Sequence, residues 1–222
     1  MRARKDQIRI TISSTTMKTR ISSPLLAALL AVSQGAYASS IVWTNAVGGK
    51  WSGATNWSPN QVPTSGDSAF ITNNGTYTVT VDVYLFLDSL TLGGATGLQS
   101  LAMAGHNLDL NTASVIDTNG VLGLSGGYLA SHLLTVNGTI SWTGGYIASG
   151  SLVTVATNGV LVLAGANGTD YRLYGMLTNA GTVQLVSGNL QLDSGCSSVF
   201  PQLVNLPGGL MDMQADVSID RY

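Results

Sequence analysis

Polar and apolar residues alternate one by one over several stretches of this chain. Over residues 76–83, Thr76, Thr78, Thr80 and Asp82 alternate with Tyr77, Val79, Val81 and Val83. Over residues 211–220, Met211, Met213, Ala215, Val217 and Ile219 alternate with Asp212, Gln214, Asp216, Ser218 and Asp220. Residues 182–185 and 189–193 repeat the pattern. Side chains on a strand point alternately to opposite faces, so each stretch predicts a strand with one apolar face. No stretch beyond residue 38 holds a 3.6-residue period, which predicts an all-β chain.

These strands recur at fixed offsets. Gly126-Gly127-Tyr128-Leu129-Ala130-Ser131 returns eighteen residues later as Gly144-Gly145-Tyr146-Ile147-Ala148-Ser149. Thr118-Asn119-Gly120-Val121-Leu122 returns thirty-nine residues later as Thr157-Asn158-Gly159-Val160-Leu161. Gly120, Gly138, Gly159 and Gly181 open similar short strands, separated by 18, 21 and 22 residues. The unit is near twenty residues and reads as two strands divided by Asn-Gly and Gly-Gly or Ser-Gly turns. Such a unit cannot bury an apolar face alone. Stacked as one coil each, with strands about 4.8 Å apart, the units share a continuous interior. Residues 76–222 then give roughly seven coils of a parallel β-helix, a solenoid. Glycines at the corners accept positive φ at little cost. A β-sandwich or antiparallel barrel also suits turn signals of this density; the near-identical repeats favour the solenoid.

Residues 39–75 differ, with three of the four tryptophans: Trp43, Trp51 and Trp57. An open solenoid end must be shielded from water, and a Trp-rich segment before the first coil suits an N-terminal cap. Residues 1–38 read as a signal peptide, with Met17 a plausible true start. Lys18 and Arg20 precede a short apolar stretch, residues 24–32, and Ala36-Tyr37-Ala38 is an A-x-A cleavage signal. The apolar stretch falls far short of the roughly 20 residues of a membrane span. A secreted or cell-surface location is therefore expected, with no transmembrane segment in the mature chain.

Composition agrees. Charged residues are 9% of the chain, against about 25% in an average domain, and there is no Glu. Beyond residue 38 only Lys50, Arg172 and Arg221 face ten Asp, a net charge of −7. Three scattered cations cannot neutralise a phosphate backbone or hold an anionic membrane, which excludes nucleic acid as a partner. Cys196 is the only cysteine, so no internal disulfide forms, and with no His beside it it reads as a turn or core residue.

The residues also carry a resemblance. Gly49-Lys50-Trp51-Ser52, Asn56-Trp57-Ser58, Val62-Pro63, Gly66-Asp67 and Ile71, then Gly75-Thr-Tyr-Thr-Val-Thr-Val-Asp82, resemble the start of bacterial autotransporter-like, β-strand-repeat surface proteins. Asn137-Gly-Thr-Ile-Ser-Trp142-Thr-Gly-Gly145 and Leu177-Thr-Asn-Ala-Gly-Thr-Val183 are similar to their repeat units. The resemblance covers nearly all of residues 41–222. It implies a right-handed parallel β-helix, outside the cell or attached to its surface, often in longer chains with a C-terminal anchor or barrel. This sequence ends at Tyr222 directly after a strand, as a fragment or truncated product would. Its open last coil makes self-association an expectation.

Candidate chemistry is sparse. His106 and His132, the only histidines, lack the spacing of a zinc site. No Gly-x-Ser-x-Gly elbow is present. Asp212, Asp216 and Asp220 fall on one predicted strand face, neighbours some 13–14 Å apart, too far for a glycosidase pair. A lyase would need Lys50, Arg172 or Arg221, each isolated in sequence. Asn56, Asn74, Asn137 and Asn167 sit in Asn-x-Ser/Thr triplets and read as turns. No cofactor is expected; calcium, drawn to acidic turns, is the one candidate ion. Tyr128 and Tyr146 hold equal places in successive coils, with Trp142 near them. They form either a ladder that stabilises the stack or, with Trp142, an outward strip that stacks on sugar rings. The expected function is that of a non-enzymatic structural or adhesin-like surface protein. Alternatives are a module binding extracellular glycan or cell envelope through those aromatics, and a polysaccharide-degrading enzyme.

Overall fold

Alternation dictates the architecture. The computed structural model describes residues 39–195, 200–214 and 216–221. In most strands up to Leu192 buried residues alternate with outward ones, as in Leu152–Val155, Val160–Leu163 and Thr182–Leu185. These strands wind into a parallel β-solenoid of the right-handed type. There is no α-helix among the described residues.

Each turn carries three strands, on three faces. The first face stacks Ser40–Trp43, Ser68–Ile71, Ser89–Leu92, 113–116, 133–136, Leu152–Val155, Met176–Asn179 and Gln202–Asn205. The second stacks Gly49–Lys50, Tyr77–Thr80, Gln99–Ala102, 120–123, 139–142, Val160–Leu163, Thr182–Leu185 and Leu210–Met213. The third stacks Leu85–Leu87, 108–110, 128–131, 146–147, Asp170–Leu173, Asn189–Leu192 and Ser218–Arg221. The register keeps like residues in rows: Val121, Thr139, Val160 and Thr182 are direct partners in succession. Inward rows of Leu, Val and Ile form a continuous core. Each fully buried aliphatic side chain contributes on the order of 1.5–3 kcal/mol.

The coil thus has three strands, where the repeat suggested two. Some coils pass from face to face without a break: Leu108–Ile116 joins the third face to the first, and Gly120–Val136 runs as one strand through all three. No turn residue separates the 128–131 portion from 133–136. Two alternating stretches also end early. Val83 is exposed, and the strand beginning at Tyr77 ends at Thr80. Residues 211–220 turn a corner between Leu210–Met213 and Ser218–Arg221, so Asp212 and Asp220 lie on different faces.

The corner glycines obey two different constraints. Gly127 and Gly145 have φ of +64° and +78°, a conformation that glycine adopts freely. Gly120, Gly138, Gly159 and Gly181, expected to need positive φ, do not have it. A Cβ there would stand 2.3, 2.2, 2.0 and 2.1 Å from a backbone carbonyl oxygen of an earlier coil. Close approach of one coil to the next selects glycine at these four positions.

The N-terminal end is sealed by tryptophan. Trp43 and Trp57 pack edge-on at 4.9 Å, Trp57 and Trp51 at 4.5 Å, and all three are buried. Trp57–Ser58 runs antiparallel to Ser40–Trp43, the one antiparallel pairing among the described strands. Ser40–Trp43 and Gly49–Lys50 belong to the first turn, and the segment after them crosses its open end. Asp82 ties this cap to the stack, accepting bonds from the Ser52 amide (3.0 Å) and hydroxyl (2.7 Å). The expected signal peptide, Cys196 and Tyr222 lie outside the described residues.

Candidate functional site

The stacking register decides which outward side chains meet. Tyr128 pairs directly with Tyr146, as their repeat implies, and their rings lie 5.4 Å apart. The row continues beyond both. Tyr84 leans onto Tyr128 at 6.3 Å, and Tyr174 meets Tyr146 edge-on at 5.5 Å. Four tyrosines therefore form one strip along the solenoid axis. Tyr84 is 51% and Tyr146 37% exposed, and Phe86, one register row over, is also exposed.

Trp142 does not join this strip. It is fully buried (0% exposed), in the inward row of Leu124, Leu163 and Leu185. Its ring packs at 5.4 Å against the equally buried Tyr171, and its Nε1 donates to the Gly145 carbonyl at 3.3 Å. Strand alternation places Trp142 inside, because it lies two residues from inward Ile140. It is a core residue, out of reach of an external sugar ring.

Asp109 anchors the N-terminal half of the strip. Its Oδ2 accepts from the Tyr84 hydroxyl and, at 3.2 Å, from the Tyr128 hydroxyl. The two hydroxyls are themselves 2.8 Å apart. Partial burial pushes the Asp109 carboxyl above the usual carboxylate range, opposed by the Tyr128 hydrogen bond. Desolvation, then the Asp109 charge, pushes the Tyr128 phenol up, so it remains a donor. Asp109 also lines a shallow groove of about 260 Å³, with Asn111, Ser131, His132, Ser149 and Ser151. Ser131 is buried there, and its hydroxyl has no hydrogen-bond partner.

The other end carries the strip's only cation. Arg172 is the direct strand partner of Tyr146. Its pKa is raised by a hydrogen bond with Tyr174 and then by the charges of Asp193 and Asp170. The other two cations stand elsewhere, Lys50 at 4.0 Å from Asp82 and Arg221 over the Phe200 ring. His106 and His132 do not converge on a shared site: among the described residues no group of three His, Cys, Asp or Glu is placed to hold a metal.

Sequence reasoning missed Tyr84, Tyr174 and Asp109 because none belongs to the Gly-Gly-Tyr repeat. The signal for them was positional. Counting back from Tyr128 along the register leads through Asn107 to Tyr84, and Asp109 stands two residues from Asn107. Comparison with protein-family models, with curated proteins and with solved structures finds no match to this chain, so the stacked tyrosine strip itself carries the functional reading.

Proposed function

We propose that this chain is an extracellular or cell-surface β-solenoid of adhesin-like type that acts by presenting a binding surface, without catalysis. The observation that carries the reading is the outward row Tyr84, Tyr128, Tyr146 and Tyr174, held in register by a coil stack with a continuous apolar core. A rigid stack fixes these side chains relative to one another before any partner arrives, which lowers the ordering cost of binding. The autotransporter-like resemblance of residues 41–222 and the A-x-A signal at Ala36–Ala38 support the location. The three cations beyond residue 38 leave nucleic acid and anionic lipid without a counter-charge. No helix among the described residues is long and apolar enough to cross a membrane. No cofactor enters the proposal.

The test is fractionation of bacteria expressing the full chain, combined with protease shaving of intact cells. The protein is expected in the medium or in the shaved fraction, and expressing cells should bind polysaccharide- or protein-coated plates better than empty-vector cells. Protein protected inside intact cells, with no gain in adherence, would overturn the reading.

A further inference from the structure

We propose that the tyrosine strip, together with the groove beside Asp109, binds a linear uncharged polysaccharide lying along the solenoid axis. The proposal rests on the adhesin-like reading above and names its ligand class.

Exposure is the first argument. The inner pair Trp142 and Tyr171 shows how this fold uses aromatics for stability alone: both are fully buried. The outer strip instead leaves Tyr84 half exposed, Tyr146 more than a third exposed, and Phe86 open beside them. Rings kept only to hold coils together gain nothing from facing water.

Spacing is the second. From Tyr84 to Tyr174 successive ring centroids stand 6.3, 5.4 and 5.5 Å apart, with rings on four of the five coils that the strip crosses. A row of rings at such near-even intervals fits a polymer of ring-shaped units. Aromatic surfaces receive the C–H faces of sugars, while hydroxyls need donors and acceptors at the edge. The phenol hydroxyls of Tyr84 and Tyr128, the Asp109 carboxylate and the groove's Asn111 and His132 supply both kinds.

Charge is the third. Arg172, the one cation on the strip, is flanked by Asp193 and Asp170, and Asp109 adds a negative charge at the other end. A polyanion would meet more carboxylates than cations along this path, whereas an uncharged polymer avoids that repulsion.

The test is calorimetric titration of the full chain. The uncharged probes are oligosaccharides of β-1,4-glucan, α-mannan and β-1,4-linked N-acetylglucosamine; the anionic probes are polygalacturonate and hyaluronan. At least one uncharged probe should bind, and the anionic ones at least about tenfold more weakly. The double variant Tyr84→Leu/Tyr146→Leu should weaken binding by about tenfold or more while its far-UV spectrum is unchanged. Tyrosine nitration of the wild-type chain gives a readout that needs no variant: the bound probe should slow modification of Tyr84 and Tyr146. Absence of binding to every uncharged probe, tighter binding of a polyanion, or unchanged nitration under saturating probe would each overturn the proposal. A chain that reaches the cell surface but binds none of the uncharged probes refutes the ligand class and spares the adhesin-like reading. A chain retained inside cells refutes that reading, and the titration still decides the ligand.

Discussion

At Gly159 a Cβ would stand 2.0 Å from the Val136 carbonyl oxygen, so residue choice there follows from the coil below. Gly159→Ala should destabilise the fold by about 1–3 kcal/mol through overpacking. Thermal melting should show it as a clear drop in Tm, whereas Gly150→Ala, with nothing within 4 Å of the added carbon, answers only for its φ of +77°. Asp109 makes the opposite prediction. Its carboxyl is raised in the folded state by desolvation, so folding favours the protonated form. The contribution is fully present below the unfolded carboxylate value of about 3.9 and is lost as pH rises through the raised folded value. Asp109→Asn keeps an acceptor for the two phenols and removes the desolvated charge. It should match or exceed the wild-type melting temperature at neutral pH, with the difference closing in acid. A variant clearly less stable at neutral pH would contradict this account. At this scale the sequence was legible where one repeat copied another, as with Tyr128 and Tyr146. It was not legible at Asp109, whose partners Tyr84 and Tyr128 stand 25 and 19 residues away and meet it only through stacking.

Among the elements, the cap is the most distinct. Three tryptophans close the first turn, and Asp82 pins Ser52 over it with two hydrogen bonds. The Ser52 hydroxyl bond is the largest cause holding the Asp82 carboxyl below its usual range; Lys50 at 4.0 Å, largely exposed, adds little. A lowered folded value means stability present above the unfolded pKa and lost as pH falls through the folded one. In a Trp142→Phe background, tryptophan emission reports the cap. It should shift to the red as pH falls below about 4, and Asp82→Asn should show that shift already at neutral pH. Emission indifferent to both would remove Asp82 from the account. The cap was readable from its tryptophan density, and the second- and third-face strands from the turn glycines that precede them. The first-face strand was hidden because 113–116 and 133–136 follow the third-face strands 108–110 and 128–131 inside unbroken strands, with no turn residue to mark them off. Trp142 was misplaced for a related reason. Its proximity in sequence to Tyr146 suggested a shared surface, but the parity of its own strand turns it inward.

For the whole molecule, stacking in register is what every other statement depends on. Residues roughly twenty apart become neighbours, one core runs the length of the coil, and side chains from five successive coils converge on one outer strip. The turn signals alone were compatible with a sandwich, and the near-identical repeats pointed to the solenoid. The measurement that tests this most directly is a set of spin-label distances along the first face, in a Cys196→Ser background. Phe70, Thr91, Val115, Thr135, Thr154, Thr178 and Val204 are direct partners in succession. Labels at Thr91 and Thr178 span four coil steps, and labels at Phe70 and Val204 span six. At about 4.8 Å per step the backbone separations are about 19 and 29 Å. The account predicts distances that grow in proportion to the number of coils between the labels. Distances that fail to grow with coil number, as in a sandwich whose strands fold back on one another, would contradict it.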